Sequence, residues 1–270
     1  MGGGEKAPFR FWPSFGVKGF LFELFRLIAQ KLGELDPFTR ITARRSKLVL
    51  VTSKDTYKAV ERLGARNIEI FPQVGLSQDQ IETLSLPKSK RAAPFTFVSI
   101  ARPIPWKGIE YGLRAFELAD IGDANYIVLS KGKGIARIKK IIDGSKKRSQ
   151  IRLIEGVDSL DEVYAILRES DVLVHLAFHE AFGNVVLEAA VADVPSICLD
   201  GGGPESLAKK FNGYIIDKTI DTPLLKAVAY LMKESCRDRK AVDVDIVKEE
   251  FRWEVLANKI LIDYYKLLDE

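Results

Sequence analysis

Between residues 95 and 216, short apolar runs rich in β-branched side chains alternate with segments of helical period, and no other feature restricts the fold as strongly. The runs fall at 95–100, 126–129, 151–154, 172–175, 195–199 and 214–216. The helical segments fall at 107–118, 135–142, 160–167 and 184–192, with a short helix from Pro204. Continuous apolar strands are buried on both faces, and a strand–helix–strand repeat closes as a parallel sheet covered on both sides. The pattern predicts an α/β fold with a doubly wound parallel sheet. Ser159 and Glu162 supply a capping box that fixes the start of the helix at 160.

Ahead of this repeat the signal is shorter. A strand at 47–53, a helix at 54–63 ending at Gly64, and a strand at 67–71 stopped by Pro72 read as the tail of another α/β unit. The stretch PKSKRAAP over 87–94 reads as a linker, which divides the chain into a partial α/β domain at 1–92 and a larger domain at 93–270. Residues 1–19 mix Gly, Pro and the aromatics Phe9, Phe11, Trp12 and Phe15 without a period, as exposed aromatics short of a partner. From 17 to 32 a helix carries Leu21, Leu24, Phe25, Ile28 and Leu32 on one face, widened by Phe20, Phe22 and Leu27. That face suits core packing or, with Lys18, Arg26 and Lys31 beside it, a membrane interface. A helix at 222–234, a polar stretch and an amphipathic helix at 253–268 close the chain.

Composition narrows the class. At 270 residues, 47% hydrophobic and 29% charged, the chain is of ordinary globular type. No apolar run approaches the roughly 20 residues that span a bilayer, and MGGGEK at the start has no signal-peptide pattern. Cys198 and Cys236 lack metal-ligand spacing and are expected as free thiols, so cytoplasmic residence is expected, with peripheral membrane contact as an option. Residues 1–92 carry 16 Lys and Arg against 9 Asp and Glu. This basic flank suits anionic lipid or a solvated face; without a nucleic-acid motif, no nucleic-acid partner is expected.

The chemistry centres on HEAFGNVVLE at 179–188. The apolar run before it ends at His175, and helical composition begins at Asn184, so Glu180 sits on a turn and Gly183 at the helix start. Free backbone N–H groups and the positive end of the helix dipole then face the space beside Glu180, which makes an anion site. Glu188 lies about one turn on. The loop after the first strand of the repeat carries Arg102 and Lys107, two cations at the carboxyl end of a strand, where ligands bind in open α/β sheets. A second loop, SKGKG at 130–134, offers Gly132 for close backbone approach. The turn DGGGPE at 200–205, with Gly202, Gly203 and Glu205, is an anion nest or a structural turn. Taken one by one, Arg102 and Lys107 read as surface charges, and Glu180 and Glu188 as helix-start and helix-face carboxylates. His175 and His179 are four apart, but the strand assignment of 172–175 and the lack of a third ligand argue against a metal.

The frame E-x7-E formed by Glu180 and Glu188, followed by AAVADVP at 189–195 and GGPE at 202–205, closely resembles retaining glycosyltransferases of the family 4 type. The likeness extends back to the basic loop 99–108 and forward to FRWE at 251–254, and it covers about residues 47–270. It implies the GT-B fold of two facing Rossmann-like domains and transfer of a sugar from a nucleoside diphosphate sugar to an acceptor. By that resemblance Arg102 and Lys107 bind the diphosphate, and Glu180 faces the sugar hydroxyls. Phe182, Gly183 and Asn184 lie along the phosphates, and Glu188 holds the ribose; no metal or other cofactor is expected. Ala101 where glycine is common, the basic loop 130–134 and Asp193 are departures, the last mild because Asp tolerates the left-handed conformation. A Rossmann-like domain needs roughly 150 residues, whereas only about 90 precede the linker, so the acceptor half is expected to be partial. Self-association or peripheral membrane contact through 9–45 follows as an expectation. Two alternatives remain: a non-catalytic nucleotide-sugar-binding subunit that needs a partner chain, and a sugar-nucleotide epimerase.

Overall fold

The computed structural model describes residues 7–88, 94–218 and 223–269. Its larger sheet has six parallel strands: β3 (Thr96–Ile100), β4 (Asn125–Leu129), β5 (Ile151–Ile154), β6 (Val172–His175), β7 (Ser196–Leu199) and β8 (Tyr214–Ile216). Their order is β5-β4-β3-β6-β7-β8. The chain winds one way from β3 to β5 and the other way from β6 to β8, so the direction reverses between β3 and β6. A crevice opens at the carboxyl ends of those two strands.

Alternate residues of each strand feed two cores. Phe97, Val172, Val174 and Ile197 enter one face, under α5 (Ile109–Leu118), α6 (Ile135–Asp143) and α10 (Leu224–Arg237). Val98, Leu173 and Cys198 enter the other, under α7 (Leu160–Arg168), α8 (Asn184–Val191) and α9 (Gly202–Lys210). This is why the strands read as unbroken apolar runs. Ser159 accepts the Glu162 N–H as N-cap of α7. Asp193 takes φ +53 at the end of α8, and its side chain is held by Arg239 at 3.0 Å.

The first third contains α1 (Gly16–Leu35), α2 (Pro37–Arg45), β1 (Val49–Val51), α3 (Lys54–Arg62), β2 (Ile68–Ile70) and α4 (Gln78–Leu84). β1 and β2 form a two-stranded parallel sheet. α1 buries only Gly19 and Glu23, while Leu21, Phe25, Ile28, Leu32 and Leu35 are exposed.

Several elements depart from the sequence reading. The aromatics at the start are not uniformly exposed: residues Phe9–Phe15 form a 3-10 helix whose Phe11, Trp12 and Phe15 are buried. Phe11 and Phe15 pack on Phe178, with ring centroids 4.7 and 5.3 Å apart. α2, with Asp36 as its N-cap, and α4, with a Ser77–Gln80 capping box, arise where no helix was expected. α4 packs Ile81 and Leu84 into the second core. The polar stretch before the last helix contains α11 (Val244–Glu250), N-capped by Asp243. The final helix, α12 (Trp253–Asp269), returns to the first third: Leu76 and Phe251 share a backbone hydrogen bond of 2.7 Å, and Lys259 lies 5.6 Å from the Phe71 ring centroid. Most of the linker, residues 89–93, and the run GGGEK at 2–6 lie outside the described residues.

Candidate functional site

At the β3–β6 crevice lies a cavity of about 340 Å³, lined by Gln73, Val74, Ile100, Ala101, Arg102, Lys107, His175, Glu180, Phe182, Gly183, Asn184 and Val185. Its walls are the loops that leave the two strands at the switch point, the start of α8 and the segment after β2. Another hollow, of about 370 Å³, sits at the β5 edge away from this crevice, and its Lys139, Glu155, Arg148 and Asp143 are already paired with one another.

The basic loop is bent into place by Gly108, at φ +73, whose absent side chain leaves room for the Leu176 carbonyl; a Cβ there would sit 2.1 Å from that oxygen. This contact ties the loop after β3 to the loop after β6. Lys107 reaches across and pairs with the Glu180 carboxylate. Burial works to raise the Glu180 pKa, but the Lys107 hydrogen bond and charge, helped by His175 and His179, outweigh it and hold it below the ordinary value. Glu180 is therefore ionised beside a cation. Arg102 is exposed at the mouth.

Gly183, at φ +92, is the N-cap of α8, and no side chain caps that helix. Its first N–H groups and the positive end of its dipole face the cavity between Glu180 and Asn184. The glycine-rich turn supports this edge from behind. A Cβ on Gly203 would lie 2.3 Å from Phe182 Cα and 2.4 Å from its carbonyl oxygen, so only glycine fits. Gly202, Gly203 and Glu205 do not line the cavity. Glu205 accepts the Gly201 N–H at 2.8 Å and pairs with Lys209.

Gly132 also stands off the cavity. Its loop props up the basic loop instead: Ser130 donates to the Ala101 carbonyl at 2.7 Å, and Gly134 packs on the Pro103 carbonyl. Glu188 is half-buried on α8, outside the lining, near Tyr164, whose hydroxyl accepts from Gln80 at 2.8 Å. Burial raises its pKa. The two carboxylates of the frame thus sit in opposite environments.

Three contributions escaped the sequence reading. Gln73 and Val74 come from the segment after β2, a part of the chain that carries no motif. His175, read only as a rejected metal ligand, is buried at the end of β6 with its Nε2 4.0 Å from Glu180 Oε2. Glu23 of α1 is 3% exposed and meets His179 Nε2 at 2.8 Å, while Trp106 lies between Phe22, stacked at 4.7 Å, and His179, at 5.6 Å. α1 therefore grips the residues that precede both Lys107 and Glu180. A lone carboxylate among Phe22, Leu24 and Phe25 was the available signal for this contact. Among the described residues no group of three or more His, Cys, Asp or Glu is gathered as a metal site.

The family model for glycosyl transferases group 1 matches residues 81–243, which include all of the cavity lining except Gln73 and Val74. The chain belongs to that family. Among curated relatives, the 2-deoxystreptamine N-acetyl-D-glucosaminyltransferase of Niallia circulans is 33% identical over 113 residues, 42% of this chain and 25% of the relative. The GPI3 subunit of phosphatidylinositol N-acetylglucosaminyltransferase from Saccharomyces cerevisiae is 24% identical over 189 residues, 68% of this chain and 42% of that one. This chain thus spans a quarter to two fifths of these relatives' length. Anabaena HepE in complex with UDP is similar with a TM-score of 0.70 at 16% identity, over 84% of this chain and 66% of that one. The pneumococcal O-GlcNAc transferase GtfA, in complex with UDP and GlcNAc, gives 0.65 at 16% identity over 87% and 48%. These likenesses establish an α/β fold with a parallel sheet of the GT-B glycosyltransferase kind.

Proposed function

We propose that this chain carries the donor site of a retaining glycosyltransferase of the family 4 type, which takes a sugar from a nucleoside diphosphate sugar. The observation that carries the reading is the Lys107–Glu180 pair set against the uncapped start of α8 at the mouth of a 340 Å³ cavity. A diphosphate entering there meets Lys107, Arg102 and the α8 N–H groups, which together stabilise the charge that develops on the leaving group. Glu180, fixed as a carboxylate, accepts from sugar hydroxyls. Phe182, Gly183 and Asn184 flank the phosphates, and Glu188 serves the ribose. Gly132, Gly202, Gly203 and Glu205 act by holding these loops in place. With cationic side chains and a helix terminus in the role of a divalent ion, binding proceeds without metal. In this reading residues 93–270 form the donor half and 1–92 the acceptor-side part.

The names of the curated relatives favour an N-acetylglucosaminyl donor, and the UDP complexes of the structural relatives favour uridine. Titration calorimetry with UDP and UDP-N-acetylglucosamine in EDTA tests the binding step, and NMR of the anomeric proton after turnover tests retention. Affinity that vanishes in EDTA and returns with magnesium or manganese refutes the metal-free site. A second reading, a binding subunit that needs a partner chain, is favoured by the two-stranded β1–β2 sheet, which is small for an independent layer. Affinity without hydrolysis or transfer would favour it.

A further inference from the structure

His175 ends β6 directly beneath the turn that carries Glu180, with its side chain 4% exposed. It lines the cavity, yet its Nε2 has no hydrogen-bond partner. Buried polar atoms are paired in the great majority of cases, because an unpaired one keeps the full cost of its desolvation. An orphaned nitrogen at a cavity wall therefore marks a place where a ligand atom completes the bond.

The neighbours fix what kind of atom that is. Glu180 Oε2 lies 4.0 Å from Nε2, too far for a hydrogen bond but close enough to favour the tautomer with its proton on Nε2. Burial, which outweighs the pull of Glu180, holds the His175 pKa down to about 4, and Lys107 adds to the depression. At neutral pH the ring is thus uncharged, and in the tautomer that Glu180 favours its Nε2–H takes an accepting oxygen as partner. Both a phosphate oxygen and a sugar hydroxyl meet that need. They lie side by side in a nucleoside diphosphate sugar.

Resting on the donor-site reading above, we propose that His175 is a donor-contacting residue that gives a hydrogen bond from Nε2 to an oxygen of the bound sugar nucleotide. Glu180 supplies the fixed acceptor and His175 the fixed neutral donor, so together they read the direction of a hydroxyl or phosphate oxygen. Charge pairing alone cannot do that.

The experiment compares parent, His175→Leu and His175→Gln in calorimetry with UDP and with UDP-N-acetylglucosamine. Gln can place its amide N–H near the Nε2 position, whereas Leu fills the volume without a donor. A ligand oxygen left without its donor corresponds to a roughly 5- to 150-fold loss of affinity. The expected result is that loss for His175→Leu, largely restored in His175→Gln. Loss for both ligands assigns the contact to a phosphate oxygen; loss for the sugar nucleotide alone assigns it to the sugar. Parental affinity of His175→Leu for both ligands, with its melting temperature kept, overturns the proposal and leaves Nε2 to a buried water. Failure of the parent itself to bind either ligand overturns the donor-site reading and this inference with it, an outcome distinct from equal binding by parent and variant. A second measurement covers a variant that does not fold: in parent protein with 15N-labelled histidine, the Nε2–H resonance of His175 shifts on addition of ligand. A resonance that stays fixed at saturation refutes the contact.

Discussion

Replacing Gly203 by alanine adds one methyl group at a point where the three nearest neighbours are all backbone atoms. The new Cβ would lie 2.3 Å from Phe182 Cα, 2.4 Å from the Phe182 oxygen and 2.5 Å from the Ala181 oxygen. Carbon pairs settle at about 3.5–4.0 Å, so the 181–182 segment must retreat by roughly 1 Å. A flexible side chain could yield cheaply, but here the moving part is the peptide that joins Glu180 to the start of α8. Overpacking of this kind costs about 1–3 kcal/mol, against a gain of about 0.5–1 kcal/mol from replacing glycine within a helix. A net loss of roughly 1–2 kcal/mol lowers the melting temperature by about 2–8 °C for a chain of this size. The functional loss is larger, because a displacement near 1 Å at a positioned group can cost on the order of 100-fold in rate. Gly33→Ala, on α1 with nothing within 4 Å of its added Cβ, is the control and should be neutral or stabilising by about 0.5–1 kcal/mol. Scanning calorimetry and sugar-nucleotide turnover measure both. A Gly203→Ala protein with parental stability and parental turnover would show that the turn does not set the site.

Lys107→Met keeps the stem and removes the charge; nucleotide affinity should fall roughly 10- to 150-fold, and the Glu180 pKa should rise because its strongest lowering influence is gone while burial remains. Unchanged affinity by calorimetry would remove Lys107 from the site. Acid should destabilise the fold: the folded pKa of His175 is about 4 against an ordinary 6.5, so the folded state binds fewer protons in that range and stability falls as pH drops from about 6.5 to about 4. The loss reaches roughly 3 kcal/mol, followed at lower pH by that of Glu180, whose depressed pKa gives stability that disappears as pH falls through its folded value. Urea unfolding at pH 7, 5.5 and 4.5 checks this, and a flat profile in the parent would refute it. Cys198 and Cys236, with thiols pushed up by burial to about 12 and about 11, should react far more slowly with iodoacetamide at pH 7.5 in the native state than in urea. Finally, the exposed apolar face of α1 should drive self-association that persists at high salt, or binding to anionic vesicles that fades with salt. A clean monomer by light scattering at high concentration, with no vesicle sedimentation at low salt, defeats both.

What the sequence made legible is what is local in the chain. The sheet strands and the uncapped start of α8 at Gly183 each follow from a few consecutive residues, because period, β-branching and helix composition act over that range, whereas the left-handed Asp193 came from the family resemblance. Seven-residue helices such as α4 and α11 are too short to show a period, although their caps Ser77 and Asp243 were in plain view. Contacts made across long separations were not legible. Glu23 and His179 meet across 156 positions, and nothing in the α1 pattern names its partner.

The charge state of Glu180 shows where local reading stops. The sequence puts an acid on one loop and a base on another, each at the carboxyl end of a strand. Burial alone would push that acid toward its neutral form, as it does for Glu188, eight positions away on the same motif. Glu180 goes the other way because Gly108 lets the basic loop lie against the Leu176 carbonyl, and that approach delivers Lys107 to the carboxylate. The same motif therefore holds one carboxylate ready as an acceptor and leaves the other biased toward its protonated form. The difference is set by a glycine 72 residues upstream. A side chain at position 108 would separate the loops, and Glu180 would then lose Lys107, the strongest influence that lowers its pKa.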